Sequence, residues 1–199
     1  MPGLAGPPIM RARLRDLFLE RDLPPQDFNI TLTVPAYGVR MLQVTRATSN
    51  WLPNTGTANA SIVANASGAD PGNGAWKVAD GRLLFECGSE GWDGPDTPPP
   101  FWITFDFGAD VAIDGFALWT DGDGVHDVAA FQLLTAPSGT GPWTPVRASP
   151  FAAAPGTRNL QLFEGFNATA RHWMWNITAT GGNQPWVNEV QWRRQQSHL

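Results

Sequence analysis

Long apolar stretches, basic charge and cysteine are all scarce in this chain of 199 residues. No run of the sequence approaches the ~18 apolar residues of a membrane-spanning helix. The net charge is −5 and Lys77 is the single lysine. The absence of a basic block excludes a nucleic-acid-binding surface and argues against binding to anionic membranes. Cys87 is the only cysteine, so no disulfide forms within the chain.

Turn-forming residues are abundant, whereas charged residues make up only 16% of the chain. The 21 glycines and 18 prolines disfavour long helices and favour short strands joined by tight turns. The hydrophobic content of 42%, with ten tryptophans, is sufficient for a folded core. The composition therefore predicts a turn-rich, all-β domain.

Alternation of apolar and polar residues marks a series of short strands. Gly, Pro or Asp clusters separate most of these strands. The predicted strands are residues 28–34, 39–45, 102–107, 116–119, 131–135, 159–163, 171–180 and 187–192. Many short strands with turns between them predict a β-sandwich or jelly roll.

The first residues have a different pattern, in which apolar side chains recur at helical spacing. Met10, Leu14, Leu17 and Phe18 predict an amphipathic helix over residues 9–22. We expect this helix to form an arm, residues 1–27, that docks against its own domain or a partner. Residues 28–199 are then the β-sandwich domain.

Motifs for catalysis are missing from the sequence. His126, His172 and His198 lie far apart and give no zinc-binding pair. Cys87 has no nearby histidine to activate it. No Gly-X-Ser-X-Gly or phosphate-binding loop occurs, and most aspartates lie in Gly- or Pro-containing turns. The sequence therefore predicts a protein that is not an enzyme.

Five segments follow one another in an order that resembles the discoidin family, also called coagulation-factor type C domains. Residues 76–81 (WKVADG) are similar to the family's Ala-X-Asp-Gly turn, and residues 101–108 (FWITFDFG) to its Trp-Ile-X-Val-Asp-Leu-Gly strand. The remaining segments are 136–143 (APSGTGPW), 170–175 (ARHWMW) and 188–190 (NEV). The resemblance implies a galactose-binding-like jelly roll.

Physical chemistry gives two of these segments structural roles. Trp102, Ile103, Phe105 and Phe107 form an apolar strand that suits a sandwich core. We expect the stem of Arg171 to lie along aromatic surface and its guanidinium to pair with a carboxylate such as Asp106.

Members of the resembled family bind ligands through loops at one end of the sandwich. In this sequence the corresponding candidates are Trp51, Asn54, Trp92, Asp93, Asp121, Asp123 and His126. Trp51 and Trp92 have two open interpretations. They are either exposed aromatic anchors for a sugar or a protein, or ordinary core tryptophans.

The resemblance also implies a calcium site, formed by Asp80 and Glu189. Calcium needs six to eight oxygen ligands. Arg82 follows the Asp-Gly turn, where sugar-binding relatives often have an acid or an amide. Its guanidinium offers an alternative partner for Asp80 that makes an ion unnecessary. We expect no other cofactor.

Two features point to different cellular compartments. The N-terminal residues lack the pattern of a secretory signal peptide, which favours a cytoplasmic or ciliary location. More Asn-X-Ser/Thr triplets occur than chance predicts, which favours a glycosylated, secreted or cell-surface protein. These triplets begin at Asn29, Asn59, Asn65, Asn167 and Asn176.

These observations predict a non-catalytic interaction module. Our main hypothesis is a structural or adaptor subunit of a larger protein assembly, for example a cilium or a virion, in which the arm docks. The alternative is an extracellular carbohydrate-binding lectin or adhesion domain, which the Asn triplets and Trp-rich loops favour.

Overall fold

The structure, a computed structural model, describes residues 11–17, 20–22, 26–27, 34, 38–39, 41–48, 51–52, 62–82, 91–158 and 160–195. It contains one short 3₁₀ helix, Ala75–Ala79, within these ranges. The strands are β1 (Arg11–Asp16), β2 (Arg21–Asp22), β3 (Gln26–Asp27), β4 (Leu42–Thr48), β5 (Val63–Ala66), β6 (Trp92–Asp93), β7 (Phe101–Thr120), β8 (Val128–Ala136), β9 (Thr144–Pro145), β10 (Phe151–Ala152), β11 (Gln161–Phe163), β12 (Ala168–Thr180) and β13 (Trp186–Arg194). Among the described residues, no helix has the length and apolar character needed to span a membrane.

Strand β7 organises a nine-stranded antiparallel sheet that folds into two layers. The first half of β7 pairs with β5 and β12, β12 continues along β7 to Ile113, and the second half pairs with β11 and β13. Strands β8 and β10 extend the first layer beyond β12, and β6 lies beside β13 in the second. Gly108, with a φ of 75°, lies between the two halves. The predicted all-β sandwich is therefore confirmed.

The core between the two layers consists largely of aromatic rings. Alternate residues of each strand point inward, as the pleat of a strand requires. The largest fully buried side chains are Trp92, Trp173, Trp175, Trp192, Phe101, Phe105, Phe116 and Phe131. Trp192 lies at the centre of this group, with its ring 4.8 Å from Phe116, 5.0 Å from Phe105 and 5.3 Å from Trp173.

A separate four-stranded sheet occupies the N-terminal region, where we predicted a helix. The helix prediction is wrong over Arg11–Asp16, which forms β1 and pairs with β2, β3 and β4. The sequence RARLRD also alternates with period two, so its apolar residues fit either structure, and backbone pairing with β4 favours the strand. Strand β4 lies beyond the predicted boundary at residue 27, and that boundary stays a prediction.

Two of the residues predicted to form the docking face of the arm, Leu14 and Leu17, lie within the described residues. Leu14 lies in β1, and Leu17 follows it with 40% of its surface exposed. Met10 and Phe18 lie outside the described residues. Residues at helical spacing do not align on one face of a strand, and the docking role of these four residues stays a prediction.

Arg171 and Asp106 confirm the pair predicted from the sequence. The guanidinium of Arg171 donates through Nε to Oδ1 of Asp106 at 2.6 Å and through Nη2 to Oδ2 at 2.8 Å. Asp106 also accepts a hydrogen bond from the backbone N–H of Gly108. These donors, led by Arg171, hold the pKa of the Asp106 carboxyl well below its ordinary value.

Arg171→Gln should return the pKa of Asp106 toward its ordinary value, which an NMR titration of its carboxyl carbon measures. Because the pKa of Asp106 is lower in the folded chain than in the unfolded chain, the pair stabilises the fold above the ordinary carboxyl pKa. This contribution is lost as the pH falls through the folded-state pKa. The difference in unfolding free energy between wild type and variant should therefore be largest near neutral pH and shrink in acid. An unchanged Asp106 titration would contradict this account.

Candidate functional site

Five segments meet at one end of the sandwich, and we call residues 67–74, 91–94, 121–127, 153–158 and 181–186 the loop cluster. Backbone hydrogen bonds connect neighbouring segments. The donor and acceptor pairs are Asp70 N with Asp93 O, Gly94 N with Pro185 O, Asn183 N with Val125 O, and Trp186 N with His126 O. These bonds link loops that are distant in sequence into one arrangement, so the cluster is preorganised.

The buried carboxylate of Asp127 anchors two of these segments. Its Oδ1 accepts from the backbone N–H of Gly122 at 2.9 Å. Its Oδ2 accepts from Gly124 at 3.0 Å and from Gly156 at 2.6 Å. Asp127 is fully buried, so water does not compete for these charge-assisted bonds. The side chain therefore fixes the loop between β7 and β8 against the loop between β10 and β11.

Glycine is required where the segments approach each other most closely. A Cβ added at Gly181 would lie 1.8 Å from the carbonyl oxygen of Gly124, which no side chain tolerates. Gly122 has a φ of +76°, and a Cβ there would lie 2.3 Å from Cγ of Arg158. The Gly-rich turns thus allow backbone to pack on backbone around Asp127.

His126 lies on the indole of Trp186 at the centre of the cluster. The two rings are parallel to within 2°, and their centroids are 3.6 Å apart. Nδ1 of His126 is 2.5 Å from Oδ2 of Asp123, and Nε2 is 3.3 Å from Nδ2 of Asn183. Because an amide nitrogen donates, Nε2 accepts from Asn183 and Nδ1 donates to Asp123. Both ring nitrogens therefore have partners that hold the ring on the indole.

The Asp123 carboxylate organises its own turn. Burial raises its pKa, but the His126 ring and the backbone N–H groups of His126 and Val125 outweigh this effect, and the pKa lies below the ordinary value. Both N–H groups donate to Oδ1 at 2.8 Å. The carboxylate thus stays ionised at neutral pH and keeps acceptor capacity at the surface.

Asp93 is another buried acidic group of the loop cluster, with 9% of its surface exposed. Burial and the neighbouring charge of Asp70 raise its pKa, and Trp186, Gln184 and His126 offset part of this rise. Oδ1 of Asp93 and Nε1 of Trp186 are both fully buried, and the hydrogen bonds that lower the pKa of the Asp93 carboxyl come from the side chains of Trp186 and Gln184. The Asp93 carboxylate is therefore held by the side chains of Trp186 and Gln184.

The structure brings four of the predicted ligand-binding residues together and places Trp92 in the core. Asp93, Asp121, Asp123 and His126 all lie in the loop cluster, although Asp121 is buried with 2% of its surface exposed. Trp92 is a core residue, with 1% exposed and its Nε1 donating to the carbonyl of Gly68 at 2.9 Å. The core interpretation of Trp92 is therefore the correct one.

Trp51 lies away from the loop cluster. It bridges to Arg193, near the opposite end of β13 from Trp186, and packs against Ala117 and Trp119. The Arg193 guanidinium lies 5.8 Å from the Trp51 ring centre. With 8% of its surface exposed, Trp51 is not an exposed anchor. Asn54 lies outside the described residues.

Four residues of the loop cluster were not predicted from the sequence: Trp186, Asn183, Gln184 and Asp70. They precede or follow strands in segments that carry no recognisable ligand motif. The sequence GGNQPW at residues 181–186 does carry a turn pattern next to a tryptophan, which is the signal that marks this loop. The contact between this loop and His126 depends on how β13 pairs in the sheet, which the sequence does not show.

Asp80 and Glu189, the residues of the predicted calcium site, both accept hydrogen bonds from the backbone of one turn. Oδ1 of Asp80 accepts from the backbone N–H of Arg82 at 2.9 Å, and the Arg82 guanidinium lies 3.9 Å from Oδ2. Oε1 of Glu189 accepts from the N–H of Gly81 at 3.2 Å. No group of three or more potential metal ligands occurs among the described residues. Calcium needs a larger set of oxygens than two carboxylates that already bind this turn.

Calcium should therefore leave the melting temperature of the protein unchanged. An ion bound only to the folded state at 100 times its dissociation constant would add about 2.7 kcal/mol of stability. The test compares thermal melts in millimolar calcium and in excess chelator, for wild type and Asp80→Ala. An upward shift with calcium in the wild type that is lost in Asp80→Ala would overturn this prediction.

Comparison with solved structures finds the same fold in sugar-binding modules. The CBM32-3 module of a family 31 glycoside hydrolase from Clostridium perfringens is 12% identical, with 73% of this chain and 95% of that chain aligned and a TM-score of 0.59. The family 32 module of NanJ from the same organism, in complex with galactose, is 10% identical over 71% and 96% of the two chains, with a TM-score of 0.56. The lectin domain of lectinolysin, complexed with Lewis B antigen, is 16% identical over 66% and 92%, with a TM-score of 0.54.

The fold is a galactose-binding-like jelly roll. This fold is shared with discoidin domains, so the resemblance of the sequence is supported at the level of fold. No family model matches the chain, and no curated protein sequence matches it. At these identities the jelly roll itself is what the chain has in common with its structural neighbours, some of which are domains of glycoside hydrolases.

Proposed function

We propose that this jelly roll is a non-catalytic carbohydrate-binding module whose ligand site is the loop cluster. The observation that carries the proposal is the stacked pair of His126 and Trp186, fixed between Asp123 and Asn183. Neighbours of the same fold are described as complexes with galactose, GalNAc-β-1,3-galactose and Lewis B antigen. These are properties of the neighbours, and they support the same class of ligand here.

The chemistry of the cluster suits a sugar ring. Carboxylates such as Asp123 accept hydrogen bonds from sugar hydroxyls, and the amides of Asn183 and Gln184 both donate and accept. A half-buried indole such as Trp186 offers apolar surface to the C–H face of a ring. Because the backbone bonds and Asp127 already fix these groups, little conformational entropy is lost when a ligand binds.

The proposal favours the alternative hypothesis, a carbohydrate-binding lectin or adhesion domain, over a structural or adaptor subunit. A structural or adaptor role in a cilium or a virion rested on the predicted helical arm, on the missing disulfide and on the missing signal-peptide pattern. Residues 11–16 form a strand instead, and the neighbours of the same fold are described as carbohydrate-binding modules and a lectin domain. Protein partners are thus less well supported than glycans.

Trp186→Ala should weaken glycan binding about tenfold or more, equivalent to at least ~1.4 kcal/mol, because it removes the platform beneath His126. The measurement is titration calorimetry with ligands selected from a glycan array. Trp143→Ala is the matched control, since Trp143 is also half-buried but precedes β9, outside the cluster. Unchanged affinity of Trp186→Ala, or an array on which no glycan binds, would contradict the proposal.

A further inference from the structure

Three of the five Asn-X-Ser/Thr triplets lie in the described part of the chain, at different places in the fold. They begin at Asn65 in β5, at Asn167 immediately before β12, and at Asn176 within β12. Asn29 and Asn59 lie outside the described residues. An N-linked glycan is bulky and hydrated, so its asparagine is expected on an exposed turn or loop. The surroundings of the three asparagines therefore distinguish them as glycan acceptors.

Asn167 lies on an exposed turn that the core holds in place. Gly165, with a φ of 80°, belongs to this turn. The next residue, Phe166, is buried, with its ring 5.6 Å from that of Phe151 and 6.4 Å from that of Trp173. Asn167 follows this aromatic anchor and is exposed. The acceptor amide is therefore displayed at the surface beside a fixed point of the backbone.

The polar side chains of this triplet have no structural task in the turn. An asparagine in a turn commonly forms a hydrogen bond to nearby backbone. Neither Asn167 nor Thr169 makes a side-chain hydrogen bond to any residue of the described ranges, and both side chains are exposed. The residue between them, Ala168, is not proline, as the acceptor triplet requires. The amide of Asn167 and the hydroxyl of Thr169 are thus both accessible.

The other two described triplets are less suited to a glycan. Oδ1 of Asn65 accepts from the N–H of the next residue at 2.9 Å, and the hydroxyl of Ser67 accepts from the N–H of Trp102 at 3.1 Å. Asn176 is half-buried in β12, where it lies between Trp102 of β7 and Gln132 of β8. A glycan on Asn176 would have to lie across these neighbouring strands. A glycan on Asn65 would stand two residues from the loop cluster.

We propose that Asn167 carries an N-linked glycan at the end of the sandwich opposite the loop cluster. The 13 residues of β12, Ala168–Thr180, separate it from segment 181–186 of the cluster, a span of about 40 Å. In the transfer, which an oligosaccharyl transferase catalyses, the amide nitrogen of Asn167 attacks the anomeric carbon of an oligosaccharide linked to a polyprenyl diphosphate. A C–N bond forms, the C–O bond to the diphosphate breaks with its electron pair, and the amide nitrogen gives up one proton. The glycan leaves the loop cluster open to its ligand.

The test is expression of the full chain behind a cleavable secretory leader in eukaryotic cells. Its intact mass is measured before and after digestion with peptide N-glycosidase, which converts a glycosylated asparagine to aspartate. Digestion should remove the mass of a glycan from the wild type, and peptide mapping should find aspartate at position 167. Asn167→Gln and Thr169→Ala should both lack this glycan, and Thr169→Ser should keep it. Asn176→Gln is the matched control and should also keep it.

The mass measurement needs no ligand, so its result is independent of the proposed function. Asn167→Gln should melt at the wild-type temperature, since the Asn167 side chain is exposed and makes no hydrogen bond within the described segments. An unmodified asparagine at position 167 in the secreted wild type would overturn the proposal, as would a glycan that Thr169→Ala retains in full. Binding on a glycan array should be the same before and after digestion. Tighter binding after digestion would contradict the placement of the glycan away from the loop cluster.

Discussion

Asp127→Ala should destabilise the protein by about 3–5 kcal/mol and abolish glycan binding. The side chain accepts three backbone hydrogen bonds, from Gly122, Gly124 and Gly156, while fully buried. Its removal leaves three buried N–H groups without their acceptor, and the loops that carry His126 lose their anchor. Urea denaturation measures the change in stability, and calorimetry with the array-selected glycan measures binding.

Asp110→Ala is the control for this variant, because Asp110 is exposed in the middle of β7, away from the loop cluster. Its stability should change by no more than about 0.5 kcal/mol, and its glycan affinity should equal that of wild type. A wild-type unfolding curve for Asp127→Ala would show that the three hydrogen bonds do not anchor the loops.

Trp192→Ala should lower the free energy of unfolding by about 3–5 kcal/mol, because it leaves a large cavity between the two layers. The ring is fully buried and contacts Phe105, Phe116 and Trp173. Urea denaturation of the purified variant measures the loss as a lower transition midpoint.

Trp192→Phe separates packing from hydrogen bonding at the same position. Nε1 of Trp192 makes no hydrogen bond to any described residue, so phenylalanine removes volume but no polar contact. We expect a much smaller loss than for Trp192→Ala, with glycan binding retained. Equal losses in both variants would indicate that the indole N–H has a partner and that packing is not the main contribution.

The sequence predicts a strand most clearly where buried and exposed residues alternate along it. In β12, buried and more exposed positions alternate from His172 to Ile177, so its apolar residues recur with period two. Residues 102–107 and 116–119 were predicted as separate strands because polar residues and glycines lie between them. Backbone pairing carries β7 through this stretch, with β12 bonded to residues 111–113, which no local pattern reveals.

Tertiary pairing also explains the failure at the N-terminus. The segment RARLRD satisfies helical and strand spacing equally well, and its partner β4 lies 26 or more positions away, since Asp16 pairs with Leu42. A short segment with ambiguous periodicity adopts the structure for which a backbone partner exists. The same principle accounts for β5, which lies in a Gly- and Ser-rich stretch without a strand pattern and pairs with β7.

Part of the candidate site was predictable, because the residues of a turn motif are close together in the sequence. Asp123 and His126 lie in one Gly-rich loop, so a sequence motif identifies them together. Trp186 and Asn183 lie in a different loop. Asn183, whose side chain contacts His126, is 57 residues away from it in the sequence. Which tryptophans are buried depends on the completed sandwich, and for this reason Trp51 and Trp92 were left with two interpretations.

The most direct test of the account is an amide and indole NMR titration of the full chain with the glycan that binds most tightly on the array. We predict that the indole N–H resonance of Trp186 and the backbone amides of residues 122–127 and 181–186 shift together and saturate with one affinity. The indole resonances of Trp51 and Trp143, outside the loop cluster, should stay in place. Shifts confined to Trp51 and its neighbours, with Trp186 unmoved, would contradict the assignment of the ligand site.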